Sequence, residues 1–206
     1  MQQLTAKAFW LTDSIGANTY WLDDNDRVAI IDPGMSAGLK RVARELRRAG
    51  RSPYEVTDIL LTHADVDHAQ AAAEWQRRTG ARCWLGAADA AVLTGAAQPG
   101  SSFRRFTASL GRPELPGNLH LLTADAEPWP GLSALHTPGH TPGHFAFLAG
   151  RTMFGGDTAL ASRDGLRPMY SALMTDVEQG LVDLARLARL DVDWYCFGHS
   201  DPVRRR

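Results

Sequence analysis

The sequence predicts an α/β fold, and two observations carry that reading. Strand patterns alternate with amphipathic helical ones through the first third of the chain. Loops rich in histidine and aspartate then follow directly on predicted strands, where α/β sheets place their sites. The 206 residues fit one domain, 1–206, with room for a substantial core.

The elements follow in order. Residues 6–12 and 17–22 are rich in aromatic and β-branched residues and read as strands. Val28, Ala29, Ile30 and Ile31 form a wholly apolar run, the pattern of a buried strand, closed by the turn Asp32-Pro33-Gly34. A helix follows, with Leu39, Val42, Ala43 and Leu46 on one face, arginines opposite, and Gly50 as its stop. Residues 56–61 are the next apolar strand. It runs into the histidine-rich loop 63–68, and an Ala-rich helix extends from there to about Arg78. Short strands are expected at 119–122, 132–135, 145–148, 151–154 and 192–197. A helix is expected over 176–190, with Val177, Leu181, Leu184 and Leu187 sharing a face. The stretch 95–117, rich in Gly, Pro, Ser and Arg, reads as a long connection flanking the active site.

Composition narrows the function classes. Hydrophobic residues make up 44% and charged residues 22%, as in soluble globular proteins. A net charge of −1 argues against a nucleic-acid partner, and the basic run 204–206 reads as a solvated end. Cys83 and Cys196 lie in apolar strand patterns and read as small buried residues, not as a disulfide framework. No secretion signal or membrane-length apolar stretch is seen, so a cytoplasmic protein with a small-molecule substrate and no membrane partner is expected. A homodimer is compatible with this composition.

The chemistry lies in four loop segments. The first supplies His63, Asp65, Asp67 and His68 within six residues. The second, residues 136–144, cannot be helical because of its Pro and Gly residues, and it carries His140 near its middle. The third holds Asp157 and the fourth His199. Imidazole nitrogens and carboxylate oxygens from several segments are what a divalent metal requires. Any one piece alone reads as readily as a core histidine or a turn aspartate. Four such pieces, each after a predicted strand, point to a metal centre. His120 reads as a structural histidine, and His136 and His144 read as supports that orient ligands.

With these motifs in hand, the chain resembles the metallo-β-lactamase superfamily, in particular the glyoxalase II-like hydrolases. The likeness runs from about residue 17 to His199. It includes Asn18-Thr19-Tyr20, Ile31-Asp32-Pro33-Gly34, Leu60-Leu61-Thr62-His63, the His136–His144 segment, Gly156-Asp157-Thr158 and Gly198-His199. The resemblance implies an αββα four-layer sandwich with a two-metal site along one edge. It places His63 and His140 on the first metal and Asp67, His68 and His199 on the second. Asp157 would bridge the two, and Asp32 would be a structural aspartate.

One position departs from the family pattern His-x-His-x-Asp-His, because Asp65 stands where a second histidine is expected. Three readings stay open: Asp65 ligates as a carboxylate, it acts through a water because its side chain is short, or the first site is weak and the protein holds one metal. An ionised Asp65 makes the centre less positive and more tolerant of an oxidised metal.

The expected cofactors are therefore two divalent ions, zinc first, with iron or manganese as the other options. The implied function is a metallo-hydrolase, with a hydroxide between the metals attacking an ester, thioester or lactone carbonyl and Asp67 handling the proton. The alternative is an iron-dependent oxidoreductase of the same fold, persulfide dioxygenase-like or flavodiiron-like. Nuclease and non-catalytic binding roles rank lower. Glyoxalase II proper carries an added C-terminal helical region, and only seven residues follow His199 here, so glutathione thioesters are not the expected substrate. Tyr170 reads as a packing residue, with oxyanion stabilisation as its other option.

Overall fold

The computed structural model describes residues 1–24, 27–100, 104–106 and 112–205. Seven strands form one sheet in chain order: β1 (Gln2–Gln3), β2 (Ala8–Leu11), β3 (Thr19–Asp24), β4 (Arg27–Ile31), β5 (Val56–Leu60), β6 (Arg82–Gly86) and β7 (Leu119–Leu122). The first four are antiparallel neighbours, and β4 to β7 run parallel. Parallel neighbours need a crossover. It comes from α1 (Leu39–Arg48), from α2 (Val66–Ala69) with α3 (Ala72–Thr79), and from α4 (Ala87–Leu93).

The second sheet has the order β15-β14-β11-β10-β9-β8. These are β8 (Ala126–Trp129), β9 (Leu132–His136), β10 (Phe145–Ala149), β11 (Thr152–Gly156), β14 (Trp194–Phe197) and β15 (Ser200–Arg204). Its one parallel pair, β11 with β14, is bridged by a ribbon of β12 (Ala159–Ser162) and β13 (Gly165–Pro168) and then by α5 (Val177–Ala188).

Alternation along the strands builds the layers. Ile30 and Ile59 face the helices of the first half, packing with Leu46 and Trp75. Their neighbours Ile31 and Leu60 face the other way, into a core shared with Phe145, Phe147 and Phe154 of the second sheet. Ala146 and Met153 then point outward to Leu187 of α5. Three apolar layers thus separate helix, sheet, sheet and helix, the αββα arrangement that the resemblance implies.

Several elements differ from the sequence reading. The Ala-rich helix is broken at Gln70–Ala71 into α2 and α3, so His68 sits on a helical turn and not in a loop. The expected face of α5 is buried only toward its C-terminal end: Leu187 is buried and Leu184 packs on the same core, whereas Val177 and Leu181 are 44% and 50% exposed and Gly180 and Asp183 turn inward near them. The Asp183 carboxylate draws the helix inward by accepting from the Gly139 N–H at 2.8 Å. In α1 the expected residues Leu39, Val42, Ala43 and Leu46 are buried, joined by Glu45, which accepts from Thr12 and the Asp13 N–H. Arg204 and Arg205 are exposed, as expected of a solvated end, although Arg204 closes β15 and Arg205 donates to the Leu190 carbonyl; Arg206 lies outside the described residues. Strands β1, β8, β12, β13 and β15 and helix α4 have no clear sequence signal.

Both cysteines are free and buried, in β6 and β14 as the sequence suggests. Burial, with Asp58 nearby, pushes the Cys83 thiol up to about 12, and burial also raises Cys196. Neither therefore offers a thiolate at neutral pH. An aromatic disulfide reagent should titrate no thiol in the folded protein at pH 8 and two after denaturation. A fast-reacting thiol in the native state would contradict this packing.

At the end of β6, Gly86 lies against Gly143, and a Cβ on Gly86 would overlap the Gly143 carbonyl. Only a residue without a side chain allows β6 to meet the loop that carries His140. Gly86→Ala should lower stability by about 1–3 kcal/mol, the usual range for overpacking. An unchanged urea midpoint would show that the loop moves aside freely.

Candidate metal centre

The site lies where β-strands of both sheets end. His63 follows β5, His140 lies in the loop between β9 and β10, Asp157 follows β11, and His199 sits in the turn between β14 and β15. Side chains from four turns converge there because both sheets present the same edge.

Asp32 organises the first part. Its backbone is left-handed, with φ 48°, a conformation aspartate tolerates better than most residues. Its carboxylate accepts from the Thr62 N–H at 2.8 Å and the Thr62 hydroxyl at 2.7 Å, and pairs with His68 Nδ1 at 2.8 Å. The His68 ring is thereby fixed with Nε2 toward the site. Thr62 Oγ1 stands 3.0 Å from His63 Nδ1, which turns His63 Nε2 the same way.

A second buried carboxylate, Asp89, joins two motifs by accepting from the Ala64 N–H, the Thr141 hydroxyl and the Gly143 N–H. His144 Nδ1 pairs with the Thr137 hydroxyl at 2.8 Å, and its Nε2 accepts from the Asp157 N–H at 3.1 Å. Burial holds this ring well below the usual histidine range, so it is neutral and can accept. His136 Nε2 lies 3.0 Å from the Pro142 carbonyl, bracing the same loop, and His120 stacks on Trp84 in β7. All three are structural, as the sequence suggests.

The Gly198-His199 turn is latched from β3. Asn18 Nδ2 donates to the Phe197 and Ser200 carbonyls at 2.9 and 2.7 Å, and the Tyr20 hydroxyl donates to Phe197 at 2.9 Å. A Cβ on Gly198 would overlap Asp157 Oδ1, so glycine is what lets the turn approach the bridge position.

The resulting atoms form two groups. Ligand atoms of His63, His140 and Asp157 lie within 4.8 Å of one another, as do those of Asp67, His68 and His199. His68 Nε2 is 3.2 Å from Asp157 Oδ1, and His140 Nε2 is 3.5 Å from Asp157 Oδ2, so Asp157 touches both groups. His199 Nε2 is 3.2 Å from Asp67 and 3.3 Å from Asp157. Donors bound to one tetrahedral ion at about 2.0–2.1 Å stand roughly 3.3–3.5 Å apart. The buried His63 Nε2 and Asp157 Oδ1 have no hydrogen-bond partner, and an orphaned nitrogen and oxygen within these two groups fit a metal ion.

Charges respond to this crowding. Burial opposes ionisation of Asp157, but His68, His199 and His140 hold its carboxyl well below the usual range. Contacts with Asp157 and Asp67 lift His199 to about 9, whereas burial pushes His140 down to about 4.

Asp65 reaches the site. Its Oδ2 lies 3.5 Å from His63 Nε2 and 3.4 Å from His140 Nε2. It is also held by Arg104, a residue that no sequence motif marks. Arg104 Nε stands 3.1 Å from both Asp65 oxygens, and its Nη2 stands 2.9 Å from Oδ2. The same Nη2 lies 2.7 Å from His140 Nε2, and Nη1 donates to the Leu173 carbonyl at 2.7 Å.

Above these groups opens a cleft of about 530 Å³. Its walls are largely apolar, with Val66, Val92, Leu93, Met169 and Leu173 among the lining residues. Pro99, Arg104, Arg112 and Pro113 also line it, which bears out the 95–117 connection as a flank of the site. Residues 101–103 and 107–111 of that connection lie outside the described residues. Tyr170, read as a packing residue, is 67% exposed and lines the cleft.

The sequence profile of the metallo-beta-lactamase superfamily matches residues 13–199. The chain belongs to that superfamily. Within it, the probable metallo-hydrolase YybB of Bacillus subtilis strain 168 is 24% identical, covering 92% of this chain and 83% of its own. A hydroxyacylglutathione hydrolase of Xanthomonas axonopodis pv. citri is 30% identical over 84% of this chain, which spans 56% of that longer protein. The structure of TTHA1623, solved in a di-iron-bound form, is 26% identical with a TM-score of 0.71, covering 91% of this chain and 89% of its own. Superfamily members bind divalent metals, and among the described residues no helix is long and apolar enough to cross a membrane.

Asp32→Asn keeps the shape but loses the charge that orients His68. It should weaken metal binding about 10- to 100-fold, as loss of a ligand's supporting partner usually does. Competition with a chromophoric chelator measures this, and unchanged affinity would remove Asp32 from the supporting role.

Proposed function

We propose that this chain hydrolyses a small ester, thioester or lactone at a two-position metal centre, with an apolar acyl portion of the substrate in the cleft. The observation that carries this reading is the placement of both carboxylate–histidine groups at one end of a largely apolar cleft of about 530 Å³. His63, His140 and Asp157 would hold one ion, Asp67, His68 and His199 the other, and Asp157 would face both. When bound, divalent ions would supply an ionised water at neutral pH and polarise the carbonyl oxygen.

The chain's own groups do the rest. His63 and His68 keep their Nε2 atoms fixed because Thr62 and Asp32 occupy the opposite ring nitrogens. Asp67 is, with His199, one of the two donors open to the cleft, and it is held ionised by His199 and neighbouring histidines against the opposing effect of burial. A carboxylate so placed can take a proton as the tetrahedral intermediate collapses. Apolar walls exclude water and favour a substrate with an uncharged acyl or ring portion.

Asp65 is the feature that would favour iron redox chemistry. Arg104 cancels its charge, which returns the centre to the electrostatic balance of a hydrolytic site and supports hydrolysis over the oxidoreductase alternative. We take zinc as the resident metal, with iron or manganese as substitutes.

Metal-free protein should be supplied in turn with zinc, iron and manganese and offered aryl esters, acyl thioesters and lactones. Metal-dependent turnover is expected, and Asp157→Asn should reduce it at least about a thousandfold while leaving the far-ultraviolet spectrum unchanged. Oxygen consumption with a persulfide, in place of hydrolysis, would sink this reading.

A further inference from the structure

We infer that the Arg104 guanidinium is a built-in competitor for the first metal position, so that the two positions fill in order, that of Asp67, His68 and His199 first. The inference rests on the proposed metal reading but not on the substrate.

The argument begins with a single lone pair. A guanidinium nitrogen can only donate, so the His140 Nε2 that it meets must be the accepting nitrogen of the ring, with one lone pair in the ring plane. Arg104 Nη2 stands 2.7 Å from His140 Nε2, within hydrogen-bond distance, and guanidinium nitrogens only donate. The Nε2 lone pair therefore cannot serve Arg104 and a metal ion together. Arg104 Nη2 also stands 2.9 Å from Asp65 Oδ2. One cationic nitrogen thus lies between two of the atoms that face the first position, where a metal would otherwise balance the charge.

The guanidinium is well anchored. Arg104 is buried, its Nε bonds to Asp65, and its Nη1 donates to the Leu173 carbonyl. To load the first position, Nη2 must leave His140, while the bond from Nε to Asp65 can persist. The cost is about one charge-assisted hydrogen bond, equivalent to roughly a ten- to hundredfold loss of affinity. Nothing comparable burdens the second group. His68 and His199 are flanked there by the carboxylates Asp67 and Asp157, and Arg104 makes no bond to them among the described contacts.

Asp65 and Arg104 belong together in this account. A histidine at position 65 would offer no carboxylate to hold a guanidinium beside His140. The aspartate does two things: it presents an oxygen to the first position, and it recruits the cation that contests it.

The test is a titration of the metal-free full-length chain with cobalt(II), read by visible absorption for stoichiometry and by chelator competition for stepwise affinity. The wild type should take one equivalent tightly and a second at least about tenfold more weakly. Arg104→Met, which keeps the apolar stem, should tighten the second equivalent by roughly ten- to a hundredfold and leave the first unchanged. Asp65→His, which removes the anchor, should tighten the second equivalent as well. Circular dichroism checks that each variant is folded, and if Arg104→Met is not, Asp65→His decides. A second equivalent that is unchanged or weaker in a folded variant overturns the inference, as do two equally tight equivalents in the wild type. If the wild type binds no cobalt at all, the metal-dependent reading fails with it. If binding follows the expected order but no substrate turns over, only the substrate reading fails.

Discussion

The Asp32 carboxylate binds the Thr62 N–H, the Thr62 hydroxyl and the His68 ring at once, with no room left for water beside it. Each partner leads to the centre by a different route. Thr62 passes its hydroxyl to His63, His68 faces Asp157, and the backbone on either side of Asp32 continues β4 toward the Gly34 turn. A buried carboxylate is costly unless its oxygens are satisfied, and here that satisfaction is what sets two ligand orientations. Asp89 repeats the device on the other side by joining residue 64 to residues 141 and 143. The centre is thus suspended between two carboxylates that take no direct part in it.

Within that frame the chain gathers Asp65, Asp67 and Asp157 around four histidines. Burial works against ionisation of all three carboxyls, and the nearby imidazoles, together with Arg104 beside Asp65, overcome it. The centre therefore retains its negative character through both buried imidazoles and the exposed His199. Its apolar cleft keeps these interactions strong by holding water back.

Much of this was legible in the sequence, for definite reasons. Val28 to Ile31 and residues 56–61 announce buried strands because a strand covered on both faces needs no polar alternation. The ligand-bearing loops stand out because Pro and Gly exclude helix from 136–144 and because clustered histidines and aspartates have few other uses. Short edge elements such as β1, β12 and β13 escape because two to four residues carry no period. The inner face of α5 is legible at Leu184 and Leu187 but not at its start: the helical pattern marks Val177 and Leu181, whereas the bond from Gly139 to Asp183 and the small Gly180 turn another side inward there. Arg104 has no motif around it. Its one available signal is the extra charge of Asp65, which calls for a cation without saying from where.

The latch between Asn18 and the turn around Gly198 joins positions 179 and 182 residues apart in the chain. Contacts of such separation form late in folding, since a long loop must close before they contribute. His199 can meet Asp67 and His68 only once that closure is complete. The full constellation is accordingly a property of the finished molecule and of no earlier intermediate. The group of Asp67, His68 and His199 thus depends on the meeting of the two ends of the chain, whereas that of His63, His140 and Asp157 does not involve the His199 turn.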